Sequence, residues 1–282
     1  MSKVTTRVPA TSANLGPGFD ALGAALKLYN YVAVSPAAVF PKDAFIMEIA
    51  RMFFKKIRRK AVPFAVSVRG DVPISSGLGS SVTVRMGVLY GLNVLHKNIL
   101  RPEEILDLVI ALEGHPDNAA PAFTGGFTAS SAERRFHCRI SPKLNFVAAL
   151  PSQEIATPKA RSILPKKIER AHVVANLQNT ALISAAFASK KYEHLKGTSA
   201  DHLHQPSRAK LIPGFYQTVQ AAEENGALSA YLSGSGPVIM ALTLKDPRKV
   251  GRAMSQSLKR AGHSNVRIKI LKPDNEGARV IN

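Results

Sequence analysis

The sequence predicts an α+β protein built as two units, residues 1–150 and 151–282. Three observations carry that expectation. With 282 residues and 45% apolar content, the chain can bury one large core or two ordinary ones. The first half mixes a half-buried strand with helical patterns around a Gly/Ser-rich loop. The second half runs through helical patterns, then strand, Gly-rich turn, strand, helix and strand, which is the grammar of a small antiparallel sheet with helices packed on it.

The elements follow in order. Phe45, Ile46, Ile49, Met52, Phe53 and Ile57 recur at helical spacing and end in a basic cluster, Lys55, Lys56, Arg58, Arg59 and Lys60, so this segment reads as an amphipathic helix with a solvated basic end. Val62, Phe64, Val66 and Val68 alternate as a half-buried strand over 62–69. A loop from Pro73 to Ser81 leads into a helix over 82–96. Pro102, Glu103 and Glu104 open another helix, with Ile105, Leu106, Val109 and Leu112 on one face and Gly114 at its end. Gly125-Gly126 marks a turn, and residues 145–150 form a short apolar strand. Beyond it, 166–188 and 214–225 read as helices, 228–232 and 238–244 as strands flanking a Gly-rich turn, a helix starts near Pro247, and 265–271 is a strand.

Composition narrows the function. A single cysteine, Cys138, excludes an internal disulfide and a four-cysteine zinc site. The opening residues lack the apolar run of a signal peptide, and no stretch approaches the ~20 apolar residues needed to span a bilayer, so a cytoplasmic enzyme with no membrane attachment is expected. Lys and Arg number 38 against 19 acids, a net charge of +19 that attracts polyanions. No basic stripe interleaved with aromatics and no nucleic-acid motif accompanies that charge, which leaves ATP a better candidate polyanion than nucleic acid.

The strongest local signal is Pro73-Ile74-Ser75-Ser76-Gly77-Leu78-Gly79-Ser80-Ser81, between an expected strand and an expected helix. Glycines let the backbone approach an anion, the helix N-terminus supplies unpaired N–H groups, and the serines add hydroxyls. No lysine follows, so this is not a G-x-x-x-x-G-K-[ST] loop. Three further stretches are rich in small residues, amides and carboxylates: Val8 to Asp20 (VPATSANLGPGFD), Glu113 to Pro121 (EGHPDNAAP) and Leu232 to Pro237 (LSGSGP). Together they suggest a site assembled from four separated loops. His202 and His204 lack a nearby third ligand and read as structural.

These stretches resemble the motifs of the homoserine kinases, within the GHMP superfamily that also holds galactokinase, mevalonate kinase and phosphomevalonate kinase. Pro9–Asp20 and Glu113–Pro121 have the homoserine kinase form, Pro73–Ser81 resembles the superfamily's ATP loop, and Ser233–Pro237 resembles its third motif. The resemblance implies an N-terminal domain like the second domain of ribosomal protein S5 and a C-terminal ferredoxin-like domain. It also implies ATP-dependent phosphorylation of L-homoserine to O-phospho-L-homoserine in threonine biosynthesis, with Mg²⁺ and in a homodimer. It assigns Ser81 and Glu113 to Mg²⁺, and Asn14, Asp20, His115, Asp117, Thr157, Arg161 and Arg208 to the substrate, with Asp20 on the ammonium and Asn14 at the reacting hydroxyl. Two arginines suit one carboxylate. Asn118 stands where mevalonate kinase carries a catalytic aspartate, so no dedicated base is expected. Another small hydroxy acid is the alternative acceptor. The segment between Tyr31 and Val62 is shorter than the family usually has, and the lost part is the one that would shape the adenine pocket.

Overall fold

The computed structural model describes residues 3–281. Its elements are β1 (Val4–Ala13), β2 (Leu22–Pro36), α1 (Ala44–Lys56), β3 (Phe64–Gly70), α2 (Ser80–Leu95), α3 (Pro102–Glu113), α4 (Ala119–Thr124), β4 (Phe127–Ser130), β5 (Arg135–Cys138) and β6 (Asn145–Leu150), then α5 (Thr157–Ser162), α6 (Arg170–Ser189), α7 (Gln205–Ala209), α8 (Phe215–Glu224), β7 (Ser229–Leu232), β8 (Ile239–Thr243), α9 (Pro247–Arg260), β9 (Arg267–Leu271) and β10 (Arg279–Val280).

The fold is α+β, with two sheets. The first has the strand order β10-β1-β2-β4-β5, with β3 pairing the far part of β2. The second is antiparallel throughout in the order β7-β8-β6-β9. Its first strand in the chain, β6, lies inside the sheet and pairs with β8 and β9, which is the ferredoxin-like arrangement. A division between residues 150 and 151 falls at the end of β6, a strand of the second sheet, while β10 returns to the first sheet beside β1.

The long hairpin β1–β2 is the main departure from the sequence expectation. The stretch from Val8 was expected to be loop, yet Val8–Ala13 is strand, and loop begins only at Asn14. Nearly every residue of β1 is buried, so its composition shows no in-and-out alternation. Its Thr, Ser and Ala side chains are small enough to lie beneath α2, which also packs on β2. Gly87 and Gly91 of α2 allow that approach, since a Cβ at either would come within 2.4 Å of Val32 or Val34. Pro9 sits where the β1–β2 register shifts, the position at which a strand tolerates proline. The helix expected over 166–188 begins at Arg170, and a separate short helix, α5, precedes it.

Local chemistry sets the helix ends around the site. Asp43 caps α1 by accepting from Phe45 N (2.8 Å) and Ile46 N (3.1 Å). Gly114 ends α3 in the left-handed conformation at φ 82°. One hydrophobic cluster joins the sheets, with Leu22 and Phe127 of the first, and Leu15 of the turn between β1 and β2, packed with Phe146, Tyr231 and Met240 of the second. The candidate site opens above this junction.

Candidate active site

A cavity of about 790 Å³ lies between the two sheets' loop ends. One wall is the Ile74–Ser81 segment. Gly77 and Gly79 have φ of 86° and 70°, and each touches another motif: a Cβ on Gly77 would come within 2.2 Å of Ser233 O, and one on Gly79 within 2.1 Å of Thr11 Oγ1. Glycine is therefore demanded twice, by conformation and by space. Ser233 Oγ donates to Gly77 O at 2.7 Å, Val238 N to Ser76 O at 3.2 Å, and Thr11 N to Leu78 O at 3.1 Å. These bonds fix the loop so that the first turn of α2, which has no side-chain cap, faces the cavity. Leu78 turns its side chain into the core, where it is wholly buried, so only its backbone could serve the loop's expected phosphate contacts. Pro73 also lies outside the cavity lining.

Next to this wall, Ser81 Oγ donates to Glu113 Oε2 at 3.3 Å. The other carboxylate oxygen accepts from Arg85 Nη1 at 2.6 Å, and the same Nη1 donates to Leu112 O at 2.6 Å. Arg85 was not anticipated, although its position four residues after Ser81 on a helix puts both on one face. Asn118 Oδ1 accepts from Thr11 Oγ1 at 2.6 Å, which ties the Glu113–Pro121 stretch to β1.

The opposite end of the cavity concentrates charge. Asp20 and Arg161 form a two-bond pair, Nη2 to Oδ1 at 2.7 Å and Nη1 to Oδ2 at 3.1 Å. Asn14 Oδ1 accepts from Asp20 N at 3.0 Å, and Asn14 Nδ2 donates to Gly234 O at 3.2 Å. Arg208 is buried; its Nε donates to Ala160 O at 3.1 Å and its Nη1 to Gly234 O at 2.9 Å, while Nη2 has no partner among the described residues. Burial, reinforced by the charge of Arg161, pulls the Arg208 pKa down to about 10, so it stays charged at neutral pH. Phe19, missed in the sequence although it lies inside the first motif, sits with its ring centroid 5.5 Å from the Arg161 guanidinium and 5.2 Å from that of Arg208.

His115 Nδ1 bonds the buried carboxylate of Asp117, and Asp20, His115 and Asp117 lie within 4.8 Å of one another through one atom each. Burial pulls the His115 pKa down, but the Asp117 hydrogen bond and charge, with Asp20 behind them, outweigh it and leave the imidazole raised above its usual value. Thr157 reaches Ser235 Oγ at 3.4 Å on the rim. Asn14, Asp20, Glu113, His115, Asp117, Asn118, Thr157, Arg161 and Arg208 thus all line one cavity with the Gly/Ser loop. The third end, between α1 and β3, is walled by Phe45, Ile46, Val66, Val68 and Val72.

Two family models match this chain, the GHMP kinase N-terminal domain over residues 44–126 and the GHMP kinase C-terminal domain over 186–260. A homoserine kinase of Carboxydothermus hydrogenoformans is 37% identical, covering 98% of this chain and 96% of that protein. The chain belongs to the homoserine kinase family of the GHMP kinases. Another homoserine kinase, from Moorella thermoacetica, is 38% identical over 98% of this chain and 99% of its own length. The structure of a homoserine kinase from Cytophaga hutchinsonii superimposes with a TM-score of 0.89 at 26% identity, covering 100% of this chain and 98% of that one. A Methanococcus jannaschii mevalonate kinase shares the fold at a TM-score of 0.68 and 15% identity, covering 100% and 99%. As a GHMP kinase, the chain is a phosphotransferase acting on a hydroxyl. The alignment to the Carboxydothermus homoserine kinase spans 293 positions, more than the 282 residues of this chain, so that homoserine kinase carries segments this chain lacks.

Proposed function

We propose that this kinase transfers the terminal phosphate of ATP to the side-chain hydroxyl of homoserine. The observation that carries the substrate is the Asp20–Arg161 pair beside a second, buried arginine, facing the phosphate loop across one cavity. An α-amino acid is a zwitterion. Its carboxylate would take Arg161 and the free Nη2 of Arg208, and its ammonium would take Asp20, so the ligand replaces one ion pair with two and strands no charge. The names of the relatives at 37–38% identity support the same substrate.

ATP phosphates fit against Gly77–Ser81 and the uncapped start of α2. Ser81 and Glu113 offer one hydroxyl and one carboxylate oxygen, hard donors of the kind Mg²⁺ prefers, with waters and phosphates completing its shell. When bound there, Mg²⁺ would supply positive charge to the phosphates. Asp20 and the arginines hold the amino acid by its charged ends, and this orientation brings the hydroxyl toward the phosphate; phosphoryl transfer depends mainly on such positioning and on charge stabilisation. Asn118 has no titratable proton and already accepts from Thr11, so the hydroxyl proton leaves late, to an oxygen of the transferred phosphoryl group, without a side-chain base at this position.

The test is ADP release by the purified protein with ATP and Mg²⁺ against homoserine, threonine, serine and mevalonate. Stimulation by homoserine above the other three is expected. No stimulation by homoserine overturns the reading.

A further inference from the structure

His204 immediately precedes the short helix α7, one turn before Arg208, and its pairing with His202 in sequence suggests only a structural role. The structure gives it specific partners instead. Its side chain is completely buried. Nε2 lies 2.8 Å from Gly16 O, and Nδ1 lies 3.4 Å from Arg208 Nη1. Those two partners fix the tautomer: a carbonyl can only accept and a guanidinium can only donate, so Nε2 carries the proton and Nδ1 is the acceptor. Burial, the largest influence, holds the imidazole pKa below its usual value and keeps the ring neutral, as this arrangement requires. The ring also stacks on Phe19, centroids 5.1 Å apart.

The Gly16 carbonyl belongs to an unusual turn. Asn14, Leu15 and Gly16 are consecutively left-handed, at φ 70°, 49° and 85°, and two of the three are not glycine. Such backbone persists only where the surroundings over-determine it. This turn aims Asn14 at Asp20 N and leads into Phe19 and Asp20. Among the described residues, His204 therefore bonds the strained turn and the buried Arg208 at once.

We infer that His204 is a positioning residue for the amino-acid substrate, holding the 14–20 turn through the Gly16 carbonyl and setting that turn in register with Arg208. The inference rests on the homoserine reading above. It assigns His204 to binding of the amino acid and not to nucleotide binding or to the proton transfer.

Replacement by Gln, Leu and Asn tests it. A Gln amide nitrogen can take the place of Nε2 and still donate to Gly16, whereas Leu keeps the volume without the bond. H204L is expected to raise the KM for homoserine about 10- to 100-fold, the usual consequence of losing a buried hydrogen bond, with kcat changed much less. H204Q is expected to recover most of that loss, and the affinity for a fluorescent ADP analogue is expected to stay within threefold in both. Should H204L fail to fold, H204N replaces it, because its shorter amide cannot reach Gly16. An unchanged homoserine KM in H204L or H204N overturns the inference alone. So does an equal weakening of nucleotide binding, or a failure of Gln to rescue. Absence of homoserine turnover in the wild type overturns the substrate reading and this inference together.

Discussion

On the proposed reading, the two ends of the cavity would recognise their ligands by different physics. At the amino-acid end, Asp20, Arg161 and Arg208 are charged: Asp20 and Arg161 engage each other, and Arg208 donates to Ala160 O and Gly234 O. At the other end, Phe45, Ile46, Val66, Val68 and Val72 offer apolar walls. A buried polar site penalises a wrong ligand by leaving its own groups unpaired, whereas apolar walls discriminate only by area. The contrast teaches that selectivity should reside with the acceptor and that nucleotide affinity should rest mainly on the phosphate loop between the two ends.

The strongest way to break this comparison is to remove the buried arginine. R208M is expected to lower kcat/KM for homoserine by about 10³-fold, the scale for losing one partner of a buried charged contact, with the KM for ATP within threefold. Steady-state kinetics in both substrates checks it; a comparable loss in ATP affinity would merge the two ends. At the loop between them, G79A meets Thr11 Oγ1 and a backbone φ of 70°. It should weaken binding of a fluorescent ADP analogue by roughly 10- to 100-fold, from backbone strain of a few kcal/mol. Titration of the analogue measures this. At the apolar end, F45A should raise the KM for ATP only about 3- to 10-fold and leave that for homoserine unchanged, because only part of one ring's apolar area is lost.

The smallest effect concerns stability. The His115 pKa is raised in the folded protein, chiefly because Asp117 and Asp20 outweigh the opposing effect of burial. Its contribution to stability is therefore full below the unfolded value near 6.5 and is lost as pH rises through the higher folded value. His204, whose folded pKa is lowered by burial, contributes with the opposite sign, full above 6.5 and lost as pH falls. The two are separated by comparing D117N with the wild type in urea melts across pH 5–8. The variant should be less stable than the wild type below pH 6.5, and the difference should narrow at pH 8.

Much of this site was legible in the sequence, for reasons that differ between residues. The Gly77–Ser81 loop was legible because three other stretches rich in small residues, amides and carboxylates accompany it; a Gly/Ser loop before a helix alone reads as a capped turn. Ser81 and Glu113 were expected at one place by family likeness, and they share a hydrogen bond. The strand β1 was illegible because burial on both faces erases alternation, and Thr and Ser at buried positions read as loop. The Asp20–Arg161 pair was expected as two separate ligand contacts; that the two close on each other depends on α5 reaching across to the turn after β1, 141 residues earlier. His204 looked structural because sequence spacing cannot show that its partner is a carbonyl 188 residues away.

The most direct test of the central claim is the ratio of kcat/KM for homoserine to that for two analogues that keep the hydroxyl, 4-hydroxybutyrate without the ammonium and 3-aminopropan-1-ol without the carboxylate. If Asp20, Arg161 and Arg208 read both charges, each analogue should fall by about 10²-fold or more. An analogue within tenfold of homoserine would contradict the account.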